Sequence, residues 1–258
     1  MKNKFLILFL LIGTLFGCGK KNTTAHQEDV ETIKIYNLVI LDRSGSMMPL
    51  REAAVQGYNE TLDLVRKAQE QYDLEQQNLI TLMLFNHEVT NIFDCDTVQD
   101  IPNLSMQDYN PDGMTAMFDA IGKSLYKLKE QLDCLENATT VVTIISDGLE
   151  NASVKYNLAQ VVELIDQLKE QSVMFVFMGT NQNVEMTAAA LHIDEYKVFD
   201  YTSEGMKDAW QSGINASERY YEHMVQYNKD TKGMSKQQRN KYYREKNEQD
   251  GWFNPENN

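Results

Sequence analysis

Neither a Gly-x-Ser-x-Gly elbow nor a glycine-rich phosphate-binding loop occurs anywhere in the 258 residues. The turns on which many serine hydrolases and nucleotide-binding enzymes place their reactive groups are therefore missing. Histidine is scarce as well. His26, His87, His192 and His223 are scattered, and none has the neighbouring His or Cys that metal-ligand spacing of the zinc type requires. There is no internal repeat and no low-complexity block, which sets repeat arrays and disordered polar tracts aside. Positive charge is also in deficit: the formal net charge is −14, and such a surface repels nucleic-acid phosphates and anionic membrane surfaces. Nucleic acid is therefore not an expected partner, although the stretch from Asn228 onward holds seven Lys/Arg against five Asp/Glu.

Long hydrophobic runs are absent except at the amino terminus. There Lys2 and Lys4 precede an apolar run from Phe5 to Ile12, too short to span a bilayer and of the length of a signal-peptide core. Leu15-Phe16-Gly17-Cys18 follows and resembles the bacterial lipobox, with a less usual Phe at its second position. That resemblance implies removal of residues 1–17 and acylation of Cys18, hence a membrane-anchored lipoprotein of the bacterial cell envelope. A non-cleaved anchor or a plain secretory signal would also export the domain. Residues 18–31 are polar and aperiodic, and read as a tether.

From Ile33 to about Asp200, short apolar runs alternate with longer amphipathic stretches. That pattern predicts an α/β fold: a doubly wound, mostly parallel central sheet with one antiparallel edge strand and helices on both faces. Ile35 to Leu41, Leu79 to Phe85, Val141 to Ile145 and Val173 to Met178 are near-continuous apolar runs, as central strands require. His87 to Phe93 alternates instead and follows its predecessor after Asn86 alone, which predicts a tight hairpin into the edge strand. A short last strand is expected in Tyr196 to Phe199. Helical spacing connects Leu50, Ala54, Tyr58, Leu62 and Val65, then Met117, Ile121, Leu125, Leu128 and Leu132, then Leu158, Val161, Ile165 and Leu168. Ser203 to about Tyr227 reads as a final helix with a serine cap. The folded domain is accordingly expected over 32–227 and a charged tail over 228–258.

Three segments end at one edge of this sheet. Asp42-Arg43-Ser44-Gly45-Ser46 follows the first strand, Pro111-Asp112-Gly113-Met114-Thr115 opens the helix after the edge strand, and Ser146-Asp147-Gly148 ends a central strand. Open α/β sheets place their ligands at that edge. Together the segments resemble the metal-ion-dependent adhesion site of von Willebrand factor A domains, whose pattern is Asp-x-Ser-x-Ser, a distant Thr and a distant Asp. The resemblance covers roughly Ile33 to Asp200. It implies that Asp42, Ser44, Ser46, Thr115 and Asp147 hold a divalent cation, Mg²⁺ or Mn²⁺, whose open position takes an Asp or Glu carboxylate from a partner protein. The chemistry fits, because hard cations prefer oxygen ligands and a bound cation reverses the local sign of an acidic surface. The segments Gly113 to Gly122, Asp147 to Ser153 and Gly179 to Gln182 are similar to stand-alone bacterial members of the family.

The expected function is a metal-dependent adhesion or scaffold module rather than an enzyme. Two alternatives stand beside it: a hydrolase using Ser44 or Ser46, and a passive envelope component. Asp112, three residues before Thr115, reads as a helix cap. Met47, Met48, Met114 and Met117 form either a flexible apolar rim or, for Met117 at least, part of the core. Export permits a disulfide, and the chain direction carries both Cys95 and Cys134 to the edge opposite the metal. A Cys95–Cys134 bridge is therefore expected.

Overall fold

The structure is a computed structural model describing residues 31–180 and 184–251. The signal-peptide, lipobox and tether readings, Cys18 included, lie outside the described residues. Six strands form one sheet: β1 (Ile33–Asp42), β2 (Gln76–Phe85), β3 (Val89–Thr97), β4 (Ala138–Ser146), β5 (Val173–Thr180) and β6 (Glu195–Phe199). Their order is β3-β2-β1-β4-β5-β6, and only the β2–β3 pair is antiparallel. The helices are α1 (Arg51–Gln71), α2 (Met117–Asp133), α3 (Leu158–Lys169), α4 (Val184–Ala190), α5 (Ser203–Asp230) and α6 (Lys236–Asp250). Among the described residues no helix is long and apolar enough to cross a membrane.

The continuous apolar character of β1 has a direct cause. Ile33, Ile35, Val39 and Leu41 enter a core shared with α1 and α5, while Tyr36, Leu38 and Ile40 enter a second core shared with α2 and α3. A strand covered on both faces has no solvent side on which to place polar residues. Asn37, in the middle of the strand, is polar but satisfied: its Nδ2 donates to the Leu79 carbonyl and its Oδ1 accepts from the Tyr221 hydroxyl at 2.6 Å. Close helix packing depends on small residues. A Cβ on Gly57 of α1 would lie 2.2 Å from the Trp210 indole of α5, so α1 and α5 could not approach as they do with any larger side chain there.

Several expectations are corrected. The edge strand begins at Val89 rather than His87, because Asn86 closes a wider turn: its N–H donates to the Glu88 carbonyl and its Oδ1 accepts from the Glu88 N–H. The strand then continues past Phe93 to Thr97, with one register shift on either side of Phe93. Asp112 caps no helix. The helix starts at Met117, and the Asp112 carboxylate accepts from Asn86 Nδ2 at 2.6 Å instead. The last long helix is capped by Thr202, whose hydroxyl accepts from the Gly205 N–H, rather than by Ser203.

The charged stretch after 228 is not a free tail. Within α6, Lys236 donates to the Leu132 carbonyl at 2.7 Å and Arg239 to the Glu136 carbonyl at 2.8 Å, while Tyr243 is buried. Cations thus satisfy carbonyls at and just beyond the end of α2, where a helix leaves acceptors without partners. Cys134, at the same end, is a free and exposed thiol rather than half of the bridge expected with Cys95. Helix register gives the reason. Lys127 of α2 pairs with Asp94 of β3, and Cys134 lies seven residues beyond Lys127, about 10 Å farther along the helix.

Candidate functional site

β1 and β4 are neighbours, but the chain winds outward from them in opposite directions, β1 toward β2 and β4 toward β5. A crevice opens beyond the carboxyl ends of two such strands. Asp42 ends β1, and Ser146 followed by Asp147 ends β4.

The five residues of the sequence motif meet here. The buried Asp42 carboxylate accepts from the Ser44 N–H at 2.6 Å through Oδ1 and from the Ser146 hydroxyl at 2.5 Å through Oδ2. Ser44 and Ser46 share a hydroxyl–hydroxyl hydrogen bond of 3.1 Å, and Ser46 donates to Asp147 Oδ1 at 2.8 Å. Thr115 is placed by Gly148: a Cβ on that glycine would stand 3.3 Å from the Thr115 hydroxyl oxygen and 3.7 Å from that of Ser46. Gly148 therefore keeps the space between these two hydroxyls clear.

Hydrogen bonds between the loops hold this geometry. The Gly45 N–H donates to the Gly113 carbonyl at 3.0 Å, and the Asp112 N–H to the Arg43 carbonyl at 2.9 Å. Gly113 has φ +72°, and a Cβ there would meet His87 Nδ1 at 2.2 Å, so this position takes glycine on two grounds. Asn86 binds the Asp112 segment through its side chain and receives the Ala116 N–H on its carbonyl at 2.7 Å. On the other side, the Asn151 side chain accepts from the Thr115 N–H, and Glu150 accepts from the N–H groups of Phe118, Ala152 and Ser153. Asp119 accepts from the N–H groups of Val154, Lys155 and Tyr156. Burial raises the pKa of Asp119, but these three donors outweigh it and hold the carboxyl below its ordinary range.

Electrostatically the centre is incomplete. Burial pushes the Asp42 carboxyl up to about 6, against the hydrogen bonds from Ser146 and Ser44, and burial likewise raises Asp147. Among the described residues no Lys or Arg hydrogen-bonds to either carboxylate. Asp147 Oδ2 is buried with no hydrogen-bond partner. A buried acceptor left in this way costs about 1–3 kcal/mol, and a cation would relieve it. No group of three or more His, Cys, Asp or Glu among the described residues is arranged to hold a metal. The donor set here instead joins two carboxylates to three hydroxyls, an all-oxygen set suited to Mg²⁺ or Mn²⁺.

Around this centre the methionines divide. Met47 and Met117 are buried in the core, whereas Met48 and Met114 are exposed, as are Leu149 and Tyr201. The Tyr201 hydroxyl donates to the Ser46 carbonyl and lies beside Asp147. Sequence reasoning missed Tyr201, for which no motif gave a signal. It also gave Asn86 only a hairpin turn and left Asp119, Glu150 and Asn151 without roles, although these three fall within the family-like segments.

No family model matches the chain, and no curated protein matches it. Solved structures do. A von Willebrand factor type A protein from Catenulispora acidiphila aligns at 13% identity and TM-score 0.50, over 72% of this chain and 43% of that one. Proximal thread matrix protein 1 from the mussel byssus aligns at 14% and 0.53, over 71% and 48%. The PilB minor pilin from Streptococcus sanguinis aligns at 9% and 0.50, over 74% and 62%. Each match spans less than two thirds of the neighbour. The fold is thus von Willebrand A-like: a mostly parallel sheet with one antiparallel edge strand, and helices on both faces.

Proposed function

We propose that this chain is a lipid-anchored, metal-dependent protein-binding module of the bacterial cell envelope. In this reading Asp42, Ser44, Ser46, Thr115 and Asp147 hold a Mg²⁺ or Mn²⁺ ion, and the ion takes an Asp or Glu carboxylate of a partner protein. The observation that carries it is the convergence of five oxygen-bearing side chains on one crevice, with Asp147 Oδ2 buried and unpartnered among them. When bound, the cation supplies the positive charge that an acidic surface needs to receive an acidic side chain. The protein's own part is positioning. Ser146 and the Ser44 N–H fix Asp42, Asn151 fixes the Thr115 backbone, and the Thr180 hydroxyl, donating to the Asp147 carbonyl at 3.0 Å, fixes the β4 end. Exposed Met48, Met114 and Leu149 offer a deformable apolar border for the partner's surface.

The test is recovery of partners by the full-length protein from detergent-solubilised membranes, with Mg²⁺ or with chelator, alongside calorimetric titration of Mn²⁺. Capture should require the metal and be lost in Asp147→Ala. Equal capture in chelator, or no Mn²⁺ binding by the parent protein, overturns the proposal.

A further inference from the structure

A second cavity, of about 200 Å³, lies away from the crevice, between α2 and the sheet beneath the edge strand. Its walls include the apolar side chains of Leu38, Met83 and Leu128. The β2–β3 register shifts on both sides of Leu82, and Thr81 and Asn91 beside these bulges line the cavity. Bulges bend a strand and loosen its pairing, which accounts for a gap at this place in an otherwise close-packed layer.

One polar group behind the cavity wall has no partner. Ser124 of α2 is buried, lines the cavity, and its hydroxyl makes no hydrogen bond among the described residues. Lys123 and Lys127 line the cavity on either side of it along the helix. Lys123 donates to the Val89 carbonyl at 3.2 Å and Lys127 pairs with Asp94. An ammonium has three donors, so each lysine retains capacity for a further acceptor. With two cations and one carboxylate, the lining is locally positive in a chain of net charge −14.

We infer that this cavity binds a small monocarboxylate with an apolar body. Its size sets the scale, since a cavity of about 150 Å³ accepts benzene, so a body of about six to eight carbons fits here. The body lies against Leu38, Met83 and Leu128. The carboxylate accepts from the two lysines.

The test follows amide resonances of the full-length chain in metal-free buffer, so that no carboxylate can bind through a cation. Hexanoate and benzoate are the probes, distinguishing an aliphatic from an aromatic body, with hexylammonium as the control of opposite charge. Saturable shifts centred on Thr81, Asn91, Ser124 and Lys127 with either acid, and none with hexylammonium, are expected. Ser124→Leu, which fills the space, and Lys127→Gln, which leaves the core intact, should each weaken binding at least tenfold. Absence of saturation with both acids, an equal response to hexylammonium, or undiminished binding in Lys127→Gln overturns the assignment.

Discussion

The Ser146 hydroxyl donates to Asp42 Oδ2 across 2.5 Å, linking the ends of two adjacent strands that are 104 residues apart in the chain. Ser146→Ala removes a buried donor and leaves a carboxylate oxygen without it, which should cost about 1–3 kcal/mol. Urea unfolding of the metal-free protein measures this. Because Asp42 is also a proposed ligand, the same variant should bind Mn²⁺ more weakly, and unchanged stability together with unchanged Mn²⁺ affinity would contradict both expectations.

Asp42 also makes the metal-free domain sensitive to pH. Its folded pKa of about 6 exceeds the ordinary 3.8, so between those values the native state holds a proton that the unfolded state has released. Stability contributed by this group is therefore present at pH 4 and lost as the pH rises through 6, by about 3 kcal/mol in all. Asp42→Asn should accordingly be more stable than the parent at pH 7 without metal, and nearly equal to it at pH 4. A stability difference that is the same at both pH values would rule this out.

Gly113→Ala should destabilise the fold by about 1–3 kcal/mol, through a left-handed backbone and contact with the His87 ring. The double variant His87→Ala/Gly113→Ala separates the two causes. Removing the ring should restore part of the loss and leave the backbone part, as read from thermal midpoints.

Cys134 is exposed and free, so the native, unreduced protein should react with a maleimide at that residue. Peptide mapping of the labelled protein identifies the site. Protection of Cys134 until a reductant is added would restore the disulfide that the sequence suggested.

Cys18→Ala should release the protein from membranes, because the several acyl chains implied by the lipobox hold stably where one chain would not. Membrane fractionation and mass spectrometry of the parent provide the check. A parent without lipid, fractionating like the variant, would end the anchor proposal.

The fold was legible where burial dictates residue type. β1, β2, β4 and β5 are covered on both faces, so their apolar runs stood out, and the stripes of α1 and α2 are buried as their periodicity required. Leu158 is the exception in the α3 stripe, exposed at the first turn. The candidate site was equally visible, since Asp42, Ser44 and Ser46 alternate in one turn. What escaped notice was the support: Asn86 and Asp119 act by binding backbone groups of distant loops, and nothing in local sequence marks which loop arrives. α6 escaped for another reason. Its role is to present cations to carbonyls near the end of α2 and to bury Tyr243, so a search for amphipathic stripes sees only a charged stretch.

The chain enters the sheet at the end remote from the crevice. There the Glu31 carbonyl receives Asn228 Nδ2 at 2.7 Å and Asn137 Nδ2 at 3.4 Å, and Arg239 pairs with the Glu31 carboxylate. β1 then runs straight from this clasp to Asp42, a length of about 30 Å. If lipid holds one end and a captured partner the other, tension passes along a single central strand bonded on both sides to β2 and β4. Force in that direction pulls on both hydrogen-bond ladders in shear, so that many bonds must yield together, whereas peeling an edge strand breaks them in turn. The domain would then withstand steady traction between a membrane and whatever it grips.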